Sequence, residues 1–158
     1  MYSPLQIADK FIELGIASGT PITQMQAQKL TYIAHGCALG HRGEGILSDP
    51  VCAWRYGPVL PALYHALKHH GSAPIRTQIP QLPFYNAASI QDEYVNGLIN
   101  SVFRTYGRYD ASVLSEFTHR EGTPWRKTYD AGKSIIDNKI IEDYYKRLMS
   151  HDSSCIGL

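Results

Sequence analysis

Two short segments, which carry the chain's two tryptophans, constrain its fold more than any other part of the sequence. Residues 54–61 read WRYGPVLP, and residues 114–125 read LSEFTHREGTPW. Each segment combines a large aromatic ring, which favours burial, with charges that need partners and with glycine or proline, which restrict the backbone. This combination predicts either a rigid corner of the fold or a binding site.

Length and composition predict one globular domain. The chain has 158 residues, of which 44% are hydrophobic and 18% are charged, so it can bury a substantial core and is too apolar to be disordered. The last predicted helix ends at residue 149. We therefore predict a domain over residues 1–149 and a short flexible tail over residues 150–158.

The charge balance and the cysteines indicate the environment and the partners. With 15 basic and 14 acidic residues the formal net charge is +1, whereas a broad nucleic-acid-binding surface needs a basic excess. The three cysteines form no CxxC pair, no apolar leader opens the chain, and no apolar run approaches the ~20 residues of a membrane span. We expect a cytoplasmic protein that has neither a membrane nor a nucleic acid as its partner.

Apolar periodicity and helix-start signals predict a mainly α fold. A capping residue followed by proline occurs at Ser3 and at Thr123, and a capping box begins at Ser89. The second helix, which few charges interrupt, is the predicted buried spine. The fold class is a compact single-domain bundle of about six to seven helices with at most a small β-hairpin. The predicted helices cover residues 3–17, 24–39, 61–71, 89–106, 110–118, 123–129 and 138–149, and the ranges that begin at 3, 89, 110 and 123 include the capping residue.

The segments between the helices leave little room for strands. Residues 51–56 and 74–80 are the candidates for a small β element. Residues 72–88 contain three prolines, which predicts an irregular or edge-strand connection anchored by Ile75 and Ile79.

The second tryptophan segment also contains side chains that occur in catalytic sites. On a helix, Ser115 and His119 are four residues apart, and Glu116 or Glu121 could act with the imidazole. No oxyanion-hole or nucleophile-elbow motif accompanies them. A hydrolase or transferase based on His119 is therefore an alternative. The simpler interpretation is that His119 ends the helix and its imidazole satisfies terminal carbonyls.

Metal, phosphate and cofactor sites find little support in the sequence. His65 and His69 share one helical face, but two ligands do not make a site. Neither GxxxxGK[ST] nor a strand-linked GxGxxG occurs, so we predict no metal and no cofactor. A nucleic-acid-binding regulator is a further alternative, although acidic residues alternate with the basic ones around the second segment. These basic residues are Arg104, Arg108, Arg120, Arg126 and Lys127.

Local sequence permits two interpretations of the tryptophan segments. In the first, Trp54 and Trp125 bury their rings against the second helix, and the prolines fix corners of the chain. In the second, aromatic residues beside arginines form a docking surface, because Trp, Tyr and Arg are enriched in interface hot spots.

Several blocks of the chain match a known pattern in their order. Residues 28–36 read QKLTYIAHG, residues 53–64 read AWRYGPVLPALY, and residues 106–125 contain YGRYD and LSEFTHREGTPW. They resemble the QKLLYYAQG-like helix, the AWxYGPVxPxxY signature and the YGxYS…LSxxTHxExxPW block of the SocA-type antitoxin domain family, also called the Panacea domain. Residues 140–145 are similar to the family's closing helix. Asp110 stands where a serine is usual, and both residues cap helices.

The resemblance implies a mostly α-helical, non-enzymatic domain of prophage and mobile-element toxin–antitoxin systems. Such a domain binds and neutralises a protein toxin encoded by an adjacent gene, and one branch of the family instead acts as an adaptor that presents the toxin to a AAA+ protease. The resemblance supplies no catalytic residues. What carries over is the pair of signature motifs, whose residues are expected either to bind the partner or to define the fold: Trp54, Arg55, Tyr56, Gly57, Pro58, Ser115, Glu116, Thr118, His119, Arg120, Glu121, Pro124 and Trp125.

Overall fold

The structure, a computed structural model, describes residues 1–83, 85 and 88–151, and these residues form mainly helices. Within these described residues, seven α-helices, one turn of 3-10 helix at Lys68–His70 and three short strands follow one another. This confirms the predicted mainly α class. The elements are α1 (Pro4–Ala17), α2 (Gln24–Arg42), β1 (Val51–Trp54), β2 (Gly57–Val59), α3 (Pro61–Leu67), α4 (Glu93–Tyr106), α5 (Ala111–His119), α6 (Pro124–Asp130), β3 (Ile135–Ile136) and α7 (Asn138–His151).

Side-chain caps explain where most of these helices begin. Ser3 and Thr23 form capping boxes at the starts of α1 and α2, and Thr123 caps α6 ahead of a first-turn proline. The predicted capping box at Ser89 is wrong. Helix α4 begins after Asp92, whose carboxylate accepts hydrogen bonds from two first-turn amides and places a negative charge at the helix N-terminus.

A three-stranded antiparallel sheet lies beside the helices in the order β2-β1-β3. Strands β1 and β2 form the hairpin predicted near residues 51–56, with Trp54 opposite Gly57. Strand β3 then pairs with β1, which places Ile136 opposite Val51. The 74–80 segment forms no strand, since it is held by single contacts instead of a ladder.

Those contacts confirm the predicted anchors of the connection after α3. Ile75 and Ile79 are both buried, and the amide of Ile79 donates to the carboxylate of Asp9 on α1 at 2.7 Å. The amide of Ile75 donates to the carbonyl of Ile22 at 2.8 Å. The connection therefore follows α1 and the loop before α2.

Helix α2 is the buried spine that the sequence predicts. Residues 27–39 are buried without interruption, and α2 packs against α1, α4, α5 and α7. Its polar residues are buried with it. His35 accepts an amide hydrogen bond from Ile46 at Nδ1 and donates from Nε2 to the side chain of Asn138 at 3.0 Å. Those bonds occupy both ring nitrogens.

The last helix extends slightly beyond the predicted domain end. Helix α7 ends at His151, two residues after the expected end at Met149, and residues 152–158 of the predicted tail lie outside the described residues. Within the part of the chain that the structure describes, every helix is too short or too polar to cross a membrane.

One close contact between α2 and α7 depends on Gly36. A Cβ atom at this position would lie 2.5 Å from Cζ and 2.6 Å from Cδ2 of Tyr145, whose ring is buried and packs edge-on against Tyr32. The missing side chain thus makes the space that the Tyr145 ring occupies.

We predict that Gly36→Ala destabilises the protein although alanine is the better helix former. Overpacking against Tyr145 should lower the free energy of unfolding by about 2 kcal/mol. In a Tyr145→Ala background the same substitution should instead raise it by about 1 kcal/mol, because only the helix propensity remains. Urea unfolding of the four proteins measures both values. Equal effects in the two backgrounds would contradict this account of the contact.

Candidate functional site

The two tryptophan segments meet beside the start of α2. The indole N–H of Trp125, at the start of α6, donates to the backbone carbonyl of Trp54 on β1 at 2.6 Å. Trp125 is 4% exposed, so its ring is buried as in the first of the two interpretations of these segments. The guanidinium Nε of Arg126 donates to the carbonyl of His119 at 3.3 Å and ties α6 to the end of α5. The hairpin and the α5–α6 corner therefore form one unit.

A buried lysine holds the turn of the hairpin. Lys29 on α2 has no accessible surface, and its ammonium donates to the carbonyl of Pro58 at 3.2 Å and to that of Tyr56 at 3.5 Å. No carboxylate forms an ion pair with it among the described residues. Burial lowers the pKa of Lys29 to about 8, because the charged form loses its hydration.

The residue before Lys29 binds the other end of the same strand. The side-chain amide of Gln28 donates to the carbonyl of Leu60 at 3.1 Å, and its oxygen accepts the amide of Leu60 at 3.0 Å. Two consecutive residues of α2 thus bind the hairpin from its turn to the start of α3. Sequence reasoning missed them as site residues. The available signal was a polar pair, Gln28 and Lys29, in a helix predicted to be buried.

Gly57 is the point at which the hairpin turn touches α2 and α5. Its φ of +119° is a conformation that only glycine adopts readily. A Cβ atom here would lie 2.6 Å from Nζ of Lys29 and 2.8 Å from Nε2 of His119. The turn residues Arg55 and Tyr56 keep negative φ angles, so the glycine provides the twist that the hairpin needs.

His119 lies under this turn among cations. Its ring packs edge-on against Trp125 at a centroid distance of 4.4 Å, and its buried Nε2 has no hydrogen-bond partner in the described part of the chain. Burial and the charge of Lys29 lower the pKa of His119, with a smaller contribution from Arg126, while the carbonyl of Tyr56 opposes them. These surroundings favour the neutral imidazole.

On the solvent-facing side of the hairpin, aromatic side chains line an open groove. Tyr56 is 68% exposed, and the rings of Trp54 and Tyr64 meet edge-on at 5.2 Å, each 37% exposed. The interpretation that buries the ring of Trp54 is therefore wrong, because Trp54 is 37% exposed and lines the groove. The groove has a volume of about 510 Å³ and is lined by Gln24, Met25, Gln28, Trp54, Arg55, Tyr56, Val59 and Tyr64.

The remaining predicted residues of the second segment face elsewhere. Arg120 lines a separate cleft of about 310 Å³, where its guanidinium lies 4.9 Å from the ring centre of Phe117 and pairs with Glu116 at 3.4 Å. Glu121 is exposed. Arg55 and Tyr56 thus share one surface, whereas Arg120 belongs to another.

The small residues of that segment shape the α5–α6 corner. The hydroxyl of Thr118 donates to the carbonyl of Ser115, and the carbonyl of Pro124 accepts the hydroxyl of Thr128. Among the described residues Ser115 makes no hydrogen bond to His119, so the pair that a nucleophilic mechanism needs is not formed.

The other candidate residues lie in different surroundings within the described part of the chain. The ring centres of His69 and His70 lie 4.1 Å apart with the rings tilted by 37°, and residues 1–83, 85 and 88–151 contain no group of three or more potential metal ligands. The arginines near α6 have acidic neighbours, because Arg126 pairs with Asp130 at 4.0 Å as Arg120 does with Glu116. These acidic partners reduce the net positive charge of the candidate basic patch.

Residues 28–126 match the family model described as "Antitoxin SocA-like, Panacea domain". The match begins at Gln28, ends at Arg126 and includes the hairpin, α5 and Trp125. The chain belongs to this family. It is also 29% identical over 124 residues to "Antitoxin SocA" of Caulobacter vibrioides (strain NA1000 / CB15N), an alignment that covers 75% of this chain and 66% of the relative. The chain thus spans just under two thirds of that relative's length. No solved structure matches it.

We predict that Gly57→Ala strongly destabilises this Panacea domain. The substitution combines a strained φ with a clash against Lys29 and His119, and it should lower the free energy of unfolding by about 3 kcal/mol. Gly19→Ala is the matched control, since Gly19 has φ +73° and open space around it; it should cost about 1 kcal/mol. Urea unfolding compares the two. A similar loss in both variants would mean that the contacts with Lys29 and His119 contribute nothing.

Lys29 predicts a distinctive pH dependence. Folded Lys29 releases its proton near pH 8, whereas the ordinary value of 10.5 applies in the unfolded chain, so the unfolded state binds more protons above pH 8. The stability of the wild type relative to Lys29→Met should therefore rise by about 1.5 kcal/mol between pH 8 and 9.5. Urea unfolding at several pH values measures this difference. Lys127→Met, at an exposed lysine, controls for the loss of one charge, and a flat difference for Lys29→Met would refute the prediction.

Proposed function

We propose that this protein is a non-enzymatic antitoxin that binds and neutralises a protein toxin in the cytoplasm. The observation that carries the proposal is an exposed Trp-Arg-Tyr sequence on a hairpin that buried side chains hold rigidly. Membership of the antitoxin SocA-like family and similarity to a protein named "Antitoxin SocA" support the same role.

The construction of the hairpin suits recognition by contact. Association costs less when the binding residues are already ordered in the free protein. Here Lys29 and Gln28 hold the backbone of the hairpin, while Tyr56 at its turn remains 68% exposed. Trp, Tyr and Arg are the residue types most enriched in interface hot spots.

The signature residues divide into three groups under this proposal. Trp54, Arg55 and Tyr56 would contact the partner, because their side chains line the open groove. The buried or internally bonded residues would position them: Gly57, Pro58, His119 and Trp125. Ser115, Glu116, Thr118, Arg120, Glu121 and Pro124 would shape or flank the α5–α6 corner.

The surroundings of His119 support a role without catalysis. A hydrolase or transferase of the kind considered from the sequence would pair this imidazole with Glu116 or Glu121. Instead, the charges that act on His119 are those of Lys29 and Arg126, and Glu116 pairs with Arg120. His119 then serves as packing between the hairpin and Trp125.

The antitoxin role predicts a specific outcome in cells. Co-expression with the protein encoded by the adjacent gene should restore growth, and the two proteins should co-purify. Tyr56→Ala should weaken the complex by about 2 kcal/mol while leaving the fold intact, because the side chain is exposed. Ile16→Ala is the control at an apolar residue of α1 that is 38% exposed and does not line the groove. If growth is not restored and the proteins do not co-purify, the proposal fails.

The same co-expression experiment distinguishes sequestration of the toxin from its delivery to a protease. A sequestering antitoxin leaves the amount of toxin unchanged, whereas an adaptor lowers it only in cells that contain the AAA+ protease. We propose sequestration and expect equal toxin levels, by immunoblot, with and without the protease. Toxin that accumulates only in the protease-deficient strain would establish the adaptor mechanism instead.

A further inference from the structure

The walls of the aromatic groove contain no acidic residue. Residues 50–91, which include the hairpin and α3, have no aspartate or glutamate, although the chain has 14 in total. Helix α2, which forms the third wall, also has none. The same 42 residues contain Arg55, Lys68 and Arg76 together with three histidines. The sequence thus leaves the walls of this surface without negative charge.

The basic side chains lie next to the aromatic ones. Arg55 lines the groove beside Tyr56, and the ring of His65 meets that of Tyr64 at 5.5 Å. Lys68 follows Tyr64 by four residues at the end of α3 and is exposed. Positive charges therefore lie beside the aromatic side chains of the groove, on the hairpin and on α3. Exposed charges of one sign attract a partner of opposite sign.

The apolar side chains are concentrated as well as exposed. Eight large hydrophobic residues are exposed in the described part of the chain, and four of them line this one groove: Met25, Trp54, Tyr56 and Tyr64. An apolar centre with a polar, charged rim is the anatomy of a protein–protein contact. A small-molecule site would instead present convergent polar groups, and the amide of Gln28 is already engaged by Leu60.

We infer that this groove binds an acidic segment of a partner protein, in which a bulky apolar side chain is flanked by aspartate or glutamate. The apolar side chain would pack between Trp54, Tyr56 and Tyr64, and the carboxylates would pair with Arg55 and Lys68. A second copy of this chain is disfavoured, because it would bring the same cations face to face. The inference rests on the proposed function in that the partner is the toxin, and it adds the chemistry of the toxin's contact segment.

A random-peptide display selection tests the inference without the toxin. The full chain is the bait, and Tyr56→Ala is used for counter-selection. The enriched peptides should carry an aromatic residue or leucine next to several acidic residues. One of them, synthesised with a fluorescent label, is then titrated by anisotropy. Tyr56→Ala should weaken its binding about thirtyfold, and Arg55→Glu about tenfold.

Matched variants show whether the effect belongs to the groove. Ile16→Ala and Arg104→Glu change an exposed apolar residue and an exposed arginine that do not line it, and they should bind the peptide as the wild type does. Circular dichroism and urea midpoints confirm that each variant is folded. Lys68→Glu provides a second charge reversal, at the end of α3, and should also weaken binding.

Several outcomes would overturn the inference. These are the absence of enriched peptides, enrichment of basic or uncharged peptides, and binding that Arg55→Glu and Lys68→Glu leave unchanged. Concentration-dependent dimerisation that Tyr56→Ala abolishes would assign the groove to a second copy. The result is independent of toxin neutralisation. If acidic peptides bind the groove but growth rescue fails, the chemistry of the groove is established and the antitoxin role is rejected. If growth is rescued but no acidic peptide binds, only the inference about the groove is rejected.

Discussion

The contact between the buried ammonium of Lys29 and two backbone carbonyls organises the rest of the site. A buried charge without a carboxylate partner loses hydration, and its lowered pKa expresses that cost. The carbonyls of Tyr56 and Pro58 offset part of it. They can do so only if the hairpin turn stays directly above the lysine. The position of the turn, and with it the direction of its exposed side chains, follows from satisfying one buried cation.

The same arrangement explains why the two tryptophans have different environments. Trp125 has an N–H that needs an acceptor, and it takes the carbonyl of Trp54. Because that bond uses the backbone of Trp54, the indole ring of Trp54 is free to face outward towards Tyr64. The internal tryptophan stabilises the corner, while the external one contributes to the groove. A structural role and a binding role therefore coexist within the signature motifs.

Much of the fold was predictable because its signals are local. Caps at Ser3, Thr23 and Thr123, and apolar periodicity along the buried spine, depend on residues within a few positions of one another. The sequence predicts the start of α4 at Ser89 instead of Asp92, because both residues are good local caps and the local pattern does not distinguish them. The pairing of β3 with β1 was not predictable, because it joins residues more than eighty positions apart.

The sequence by itself determined the mainly α class, the hairpin, the family and the absence of acidic residues from residues 50–91, because each is a property of residue type and spacing. Tertiary structure alone decided which signature residues point inward. Lys29 could have been a solvated charge and Trp54 a core residue by pattern. In the structure Lys29 is buried, because the carbonyls enclosed beneath the hairpin need a hydrogen-bond donor. The ring of Trp54 instead faces outward, because the indole N–H of Trp125 takes the backbone carbonyl of Trp54 as its acceptor.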